Sequence, residues 1–290
     1  MVTDRKAKPV IDGIMTRMLH DTPFPLFSFI EIETINRCNG GCSFCPVNSK
    51  DDPRELRIMD EELFRSILVQ LGELRYRGTL SLYSNNEPLL DRRLADFAGM
   101  ARELVPHARL NLLTNGTLLT VPLFQTLMAH LDKMVIDNYS DMLTIHRNVR
   151  EVMEYWNSNR IPGKRVVLSI RREDAILSSR GGTAPNRRYV SPIRSSCLLP
   201  FCQMVVRPDG KLSLCCNDAL GSVTLGDLNS ETLVDAWNSS RYRDIRHRIR
   251  TGRARLDACS RCDAFLGTSQ PELNPLPAYF RLGEGAGIDR

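Results

Sequence analysis

The chain has 290 residues, 42% of them hydrophobic and 25% charged, ordinary values for a soluble globular protein of one large domain or a domain plus an appendage. Its formal net charge of +5 is too mild for a nucleic-acid-binding arm. No apolar run approaches the roughly 18–20 residues of a membrane span, and the N-terminal stretch, with acids and bases throughout, has no secretory core.

Residues 1–26 read as a polar, proline-dotted lead-in (Pro9, Pro23, Pro25) with one short helix near 10–19. Segment 27–35, FSFIEIETI, alternates apolar and polar β-formers and predicts a strand. It leads straight into a cysteine-rich loop. Helices are then expected over 60–77, 91–104 (Asp91 as N-cap), 121–131 and 142–159. Strands are expected over 79–84, 109–113, 133–137 and 165–170. Strands alternating with helices argue a parallel sheet, with chemistry at the carboxyl ends of its strands.

Beyond Arg171 the pattern changes. Residues 173–196 lack periodicity and carry Gly181, Gly182, Pro185, Pro192, Arg180, Arg187, Arg188 and Arg194, just after Arg172. Loops this long are functional or disordered. Segments 203–207 and 211–214 flank Pro208-Asp209-Gly210 and predict a β-hairpin. Residues 230–250 predict one helix, with Leu233, Trp237, Tyr242, Ile245 and Ile249 mostly on one face. The proline- and glycine-rich tail 267–290 reads as poorly ordered.

Nine cysteines in a chain too long to need staples, gathered in CxxC-like groups, fit metal binding in a reducing cytoplasm better than disulfides. Cys38, Cys42 and Cys45 stand at x3 and x2 spacings among Gly40, Gly41 and Phe44. Three thiolates can hold three irons of a four-iron cluster and leave the fourth open to a chelating small molecule. This motif resembles the signature of the radical S-adenosylmethionine (SAM) superfamily. That resemblance implies an open iron that binds SAM, and a 5′-deoxyadenosyl radical that takes a hydrogen from substrate. Further on come Cys197-x-x-Pro200-Phe201, Arg207-Pro208-Asp209-Gly210, Cys215-Cys216-Asn217-Asp218 and Cys259-x-x-Cys262. This run resembles the SPASM/twitch auxiliary-cluster domain, with spacing like that of 2-deoxy-scyllo-inosamine dehydrogenase-type enzymes. It implies a second [4Fe–4S] cluster on Cys197, Cys215, Cys259 and Cys262, leaving Cys202 and Cys216 spare. The implied architecture is α/β: a partial barrel over 27–172, a connecting loop over 173–196 and a twitch domain over 197–266. A structural zinc site on the same thiolates is the competing reading.

Asn85-Asn86-Glu87-Pro88 follows the second strand, where the superfamily has Gly-Gly-Glu-Pro receiving the SAM amino group. Asparagine tolerates positive φ, so the turn can survive the change, and Glu87 keeps an acceptor for an ammonium. Thr114 and Asn115 match the ribose-contacting position. Phe44 adjoins the cluster, and Arg171 offers a fork for the SAM carboxylate. For substrate, the candidates are Arg180, Asp218, Cys202 and Cys216, with Asn217 beside them and Tyr83 and Tyr139 as pocket walls.

The expected function is hydrogen abstraction from a small polar molecule such as an aminocyclitol or amino sugar, most simply oxidation of a carbinol. Epimerisation with a cysteine hydrogen donor, as in aminoglycoside epimerase-type enzymes, peptide modification and a non-catalytic metal-binding role are the alternatives. An electron donor such as flavodoxin or ferredoxin is implied. No nucleic-acid or membrane partner is expected, and the sequence leaves the oligomeric state open.

Overall fold

A computed structural model of the protein describes residues 4–21, 24–160, 165–187, 193 and 196–264. The expected tail 267–290, together with Pro23, Arg188, Pro192 and Arg194, lies outside the described residues. The first half runs α1 (Asp4–His20), β1 (Phe29–Ile32), α2 (Glu61–Glu73), β2 (Thr79–Ser81), α3 (Leu94–Leu104), β3 (Arg109–Thr114), α4 (Val121–His130), β4 (Lys133–Tyr139), α5 (Arg147–Ser158) and β5 (Val166–Arg171). The second half adds α6 (Leu199–Cys202), β6 (Gln203–Val206), β7 (Lys211–Ser213), β8 (Thr224–Asp227), α7 (Leu233–Trp237), α8 (Ser240–Arg250) and α9 (Asp257–Ser260).

The expected strand–helix alternation builds an open sheet in the order β5-β4-β3-β2-β1-β6-β7-β8, parallel from β5 through β6. It is an unclosed α/β partial barrel. The expected hairpin is present, and its first strand supplies the parallel strand that the first half of the chain lacks. β6 pairs with β1, Phe29 facing Gln203 and Ile32 facing Val206. β7 returns antiparallel after Gly210, whose φ of 80° closes the turn. β8 was not legible in the sequence: TLGD is short and holds a glycine. A Cβ on Gly226 would stand 3.0 Å from Leu212 Cδ1 and 3.1 Å from Ala236 Cβ, so the glycine lets α7 pack close.

Several helix limits move for local reasons. Asp60 caps α2 by accepting from Glu62 N and Leu63 N, and the helix stops well short of 77. Asp91 does not cap α3. Its carboxylate accepts from Arg93 N and Arg93 Nε at 3.0 Å each, holding the turn before the helix. α5 starts at Arg147 with His146 as cap, so 142–146 is turn rather than helix. The helix expected over 230–250 is two: Thr232 caps α7 and Ser239 caps α8. The apolar spacing runs on across the break, so periodicity alone could not reveal it.

Phe64 stacks on Phe97 at 4.2 Å, fixing α2 against α3 on one face of the sheet. Beyond β6, Arg246 of α8 is fully buried. Its guanidinium lies 4.0 Å from the rings of Phe24 and Trp237 and donates to Pro200 O (3.0 Å) and Trp237 O (2.8 Å). That contact ties α8 to α6, just before β6. Among the described residues no helix is long and apolar enough to cross a membrane.

Candidate active site

The loop after β1 carries Cys38, Cys42 and Cys45 into one cleft, lined also by Phe44, Asn85, Asn86, Glu87, Asn115, Thr117, Tyr139 and Arg180. The space between these residues, including its opening to solvent, is about 780 Å³. Gly40 N donates to Cys38 Sγ at 3.3 Å, and a Cβ on Gly40 would lie 3.4 Å from Cys38 Sγ and 3.8 Å from Cys42 Sγ. Burial pushes the Cys38 thiol up to about 12, with the like charges of Glu87 and Cys45 adding to it, and raises Cys42 further. Thiols in such a place become thiolates when a metal brings the compensating charge. Asn85 Oδ1 and Asn86 Nδ2 are buried in the same cleft without a hydrogen-bond partner among the described residues.

Neither asparagine takes a positive φ, so the reason expected for their tolerance does not apply. Asn86 Oδ1 instead accepts from Ser84 N at 3.0 Å and closes the turn itself. Glu87 faces inward rather than presenting a free acceptor. It accepts from Leu89 N (3.0 Å), Thr114 Oγ1 (2.7 Å) and Asn115 N (2.7 Å). Thr114 is fully buried and does not line the cleft: it bolts the turn after β3 to the turn after β2. Asn115 does line it and reaches Asn39 Oδ1 of the cysteine loop at 2.8 Å. Arg171 lines neither this cleft nor the cavity beyond it; its Nε lies 3.8 Å from Asp137.

A second cavity of about 670 Å³ shares Phe44, Ser84, Leu113, Tyr139 and Arg180 with the first. Its remaining walls include Glu31, Tyr83, Asp137, Ser178, Cys216 and Asn217. Arg180 takes a φ of 48°, followed by Gly181 and Gly182 at 66° and 91°, and these left-handed residues turn the loop into the cleft. A Cβ on Gly182 would stand 2.5 Å from Arg261 Cβ, which is why the loop needs glycine there. Ser179 N donates to Asp263 Oδ1 at 2.6 Å, so this part of the irregular stretch is ordered by the Cys259–Cys262 turn.

Glu31 and Asp137 carry no sequence signal beyond being acids within apolar strands, and sequence reasoning missed both. Burial pushes the Glu31 carboxyl up to about 7, against the pull of Ser84 and Gln203. Tyr139 donates to Asp137 Oδ2 at 3.0 Å. The Tyr83 hydroxyl is buried in the cavity wall with no hydrogen-bond partner among the described residues.

Cys197, Cys215, Cys259 and Cys262 line a third, smaller cavity with Asn217, Asp218 and Arg253. Asn217 therefore borders both this cavity and the second. Among the described residues, no three His, Cys, Asp or Glu side chains gather as one metal ion would require. The thiols instead surround a space, the arrangement a cluster takes up. The two spare cysteines separate: Cys216 faces the second cavity, while Cys202 is fully buried in the core with its thiol on Leu198 O at 3.4 Å. Asp218 does not reach the second cavity. Its carboxylate accepts from Ser222 N (2.8 Å), Ser222 Oγ (2.6 Å) and Val223 N (3.0 Å), shaping the loop after Cys216.

An open α/β barrel with three cysteines at the end of its first strand, and four more around the third cavity, defines an iron–sulfur enzyme. The model of the radical SAM superfamily matches residues 32–160, and that of the SPASM iron–sulfur cluster-binding domain matches 197–263. The chain is 30% identical over 240 residues to the S-adenosyl-L-methionine-dependent 2-deoxy-scyllo-inosamine dehydrogenase of Niallia circulans, covering 82% of this chain and 93% of that protein. The crystal structure of BtrN in complex with AdoMet and 2-DOIA superposes with a TM-score of 0.72 at 29% identity, covering 86% of this chain and 97% of that one. BtrN in an open conformation gives 0.62 at 25%, with the same coverage. Native anSMEcpe with bound AdoMet gives 0.52 at 15% over 89% and 95% of the two chains, a likeness of fold alone. The chain belongs to the radical SAM superfamily, in its SPASM-bearing branch. It is an oxidoreductase-type radical enzyme whose cofactors are SAM and two [4Fe–4S] clusters.

Proposed function

We propose that the protein oxidises a carbinol of an aminocyclitol or amino sugar. The observation that carries this reading is the second cavity: it adjoins the three-cysteine cleft through Phe44, Tyr139 and Arg180, and the four-cysteine cavity through Asn217. A relative named for oxidising an aminocyclitol supports the substrate class.

Cys38, Cys42 and Cys45 would hold the SAM-binding cluster, and Cys197, Cys215, Cys259 and Cys262 the auxiliary one. When bound, the two clusters would supply one-electron chemistry: the first the electron for reductive cleavage of SAM, and the second an acceptor for the electron released as the carbinol becomes a carbonyl. Asn85, Asn86, Glu87 and Asn115 shape the SAM end of the cleft. Glu31 takes the hydroxyl proton, since a carboxyl titrating near 7 is partly ionised at neutral pH and can accept it. Asp137 faces the substrate amine. Arg180 orients substrate oxygens while balancing Glu31, and the Tyr83 hydroxyl pairs with a further ring hydroxyl. A flavodoxin or ferredoxin in the cytoplasm would supply the first electron. The functional division at 172 and 197 is part of the same reading.

Epimerisation is the second reading, favoured by one feature: the Cys216 thiol faces the same cavity as Glu31 and Arg180. Cys202, with its thiol on Leu198 O, lines neither this cavity nor the three-cysteine cleft.

The test is anaerobic incubation of the reconstituted enzyme with SAM, dithionite and 2-deoxy-scyllo-inosamine or related aminocyclitols. The expected result is one 5′-deoxyadenosine per product and a product two hydrogens lighter. Deoxyadenosine formation that no aminocyclitol stimulates would refute the substrate class.

A further inference from the structure

Arg253 is 1% exposed and lines the cavity of Cys197, Cys215, Cys259 and Cys262. Its Nε donates to Ile193 O at 2.7 Å. Nη1 donates to Ala264 O at 2.8 Å and stands 3.7 Å from Cys262 Sγ. Nη2 is buried with no hydrogen-bond partner among the described residues, and no ion pair to Arg253 is formed among them. Asp218 borders the same cavity but is committed to Ser222 and Val223.

A guanidinium is charged at any accessible pH, and burying it without a counter-charge is strongly unfavourable. Two carbonyl oxygens satisfy donors but cancel no charge. The thiolates of the neighbouring cysteines can cancel it. Four thiolates around a four-iron core carry net negative charge in both redox states, and reduction adds one more. A fixed cation at this range therefore favours the reduced form, and little water intervenes to screen it.

We propose that Arg253 is the counter-ion of the auxiliary cluster and raises its reduction potential, suiting it to accept an electron from the substrate radical. This rests on the four cysteines being the ligands. Arg253 is a positioning and tuning residue rather than a catalytic one, since it touches a ligand sulfur and not the substrate.

The test uses the full chain carrying Cys38→Ala, Cys42→Ala and Cys45→Ala, so that the auxiliary cluster alone gives the signal. Arg253→Lys and Arg253→Gln are compared with this parent by iron content and by redox titration followed by electron paramagnetic resonance. The expected result is full iron in all three, a midpoint shifted to more negative potential in the glutamine variant, and one close to the parent in the lysine variant. Loss of iron from Arg253→Gln but not from Arg253→Lys also supports the proposal, because charge is what separates them. Equal midpoints at full iron overturn it, and so does loss of iron from both variants, which makes Arg253 a packing residue. Retention of the signal in Cys259→Ala/Cys262→Ala would refute the ligand assignment instead, and is distinguishable from either result.

Discussion

Gln203 Nε2 donates to Glu31 Oε1 at 2.9 Å, side chain to side chain across the β1–β6 pair. The same amide's oxygen accepts from Cys216 N at 3.1 Å. One glutamine thus sets the spacing between an acid of the barrel and the segment beside the auxiliary cysteines. The cavity between them exists because β6, late in the chain, lies beside β1.

The Glu31 carboxyl is raised from 4.5 to about 7 by burial. For an acid, a raised folded-state pKa means that the folded protein holds the proton longer than the unfolded chain. Stability contributed by Glu31 is therefore complete below 4.5 and is lost as pH rises toward 7, by about 3 kcal/mol in all. Glu31→Gln escapes this loss. The variant is expected to gain stability over wild type between pH 5 and pH 8 in denaturant titrations, while losing dehydrogenation. A pH-independent difference between the two would remove Glu31 from the role of titrating base.

Replacing Cys38, Cys42 and Cys45 together by alanine is expected to abolish reductive SAM cleavage and to reduce iron from about eight to about four per chain. The auxiliary signal should persist, because its four cysteines surround a separate cavity. Full cleavage of SAM by the triple variant would refute the assignment. Zinc in place of iron in wild type would restore the structural-zinc reading.

Glu87→Gln should cost folding stability as well as SAM affinity. Three donors, Leu89 N, Thr114 Oγ1 and Asn115 N, converge on the carboxylate. An amide offers one oxygen and turns its NH2 toward a donor, a loss of about 1–3 kcal/mol. Chemical denaturation checks the first effect and equilibrium binding of SAM the second. Unchanged stability would mean that the turn after β3 does not depend on Glu87.

Oxidation and epimerisation part after the hydrogen is taken. In heavy water, oxidation gives a product without solvent deuterium, and Cys216→Ala leaves that outcome unchanged. Epimerisation gives a product of unchanged formula carrying one deuterium, lost in Cys216→Ala while deoxyadenosine still forms. Cys202→Ala serves as the control, since its thiol is buried against Leu198 O. We expect the first pattern, and mass spectrometry of the product reads it directly.

The sequence by itself determined what depends on short spacing. Cys38, Cys42 and Cys45 lie within one loop, and β1 to β5 alternate with helices, so local pattern carried both the cluster motif and the parallel sheet. The hairpin at Pro208-Asp209-Gly210 was legible for the same reason. Tertiary structure decided what depends on distant partners. Whether Cys216 or Cys202 faces a cavity depends on the return of β6 beside β1, far apart in sequence. That Glu87 turns inward and that Arg171 faces Asp137 follow from partners the fold brings to them, whereas Asp218 is held by Ser222 and Val223 of its own loop. Glu31, Asp137 and Arg253 belong to no motif. Burial gives them their chemistry, and burial is a property of the packed whole rather than of any stretch of chain.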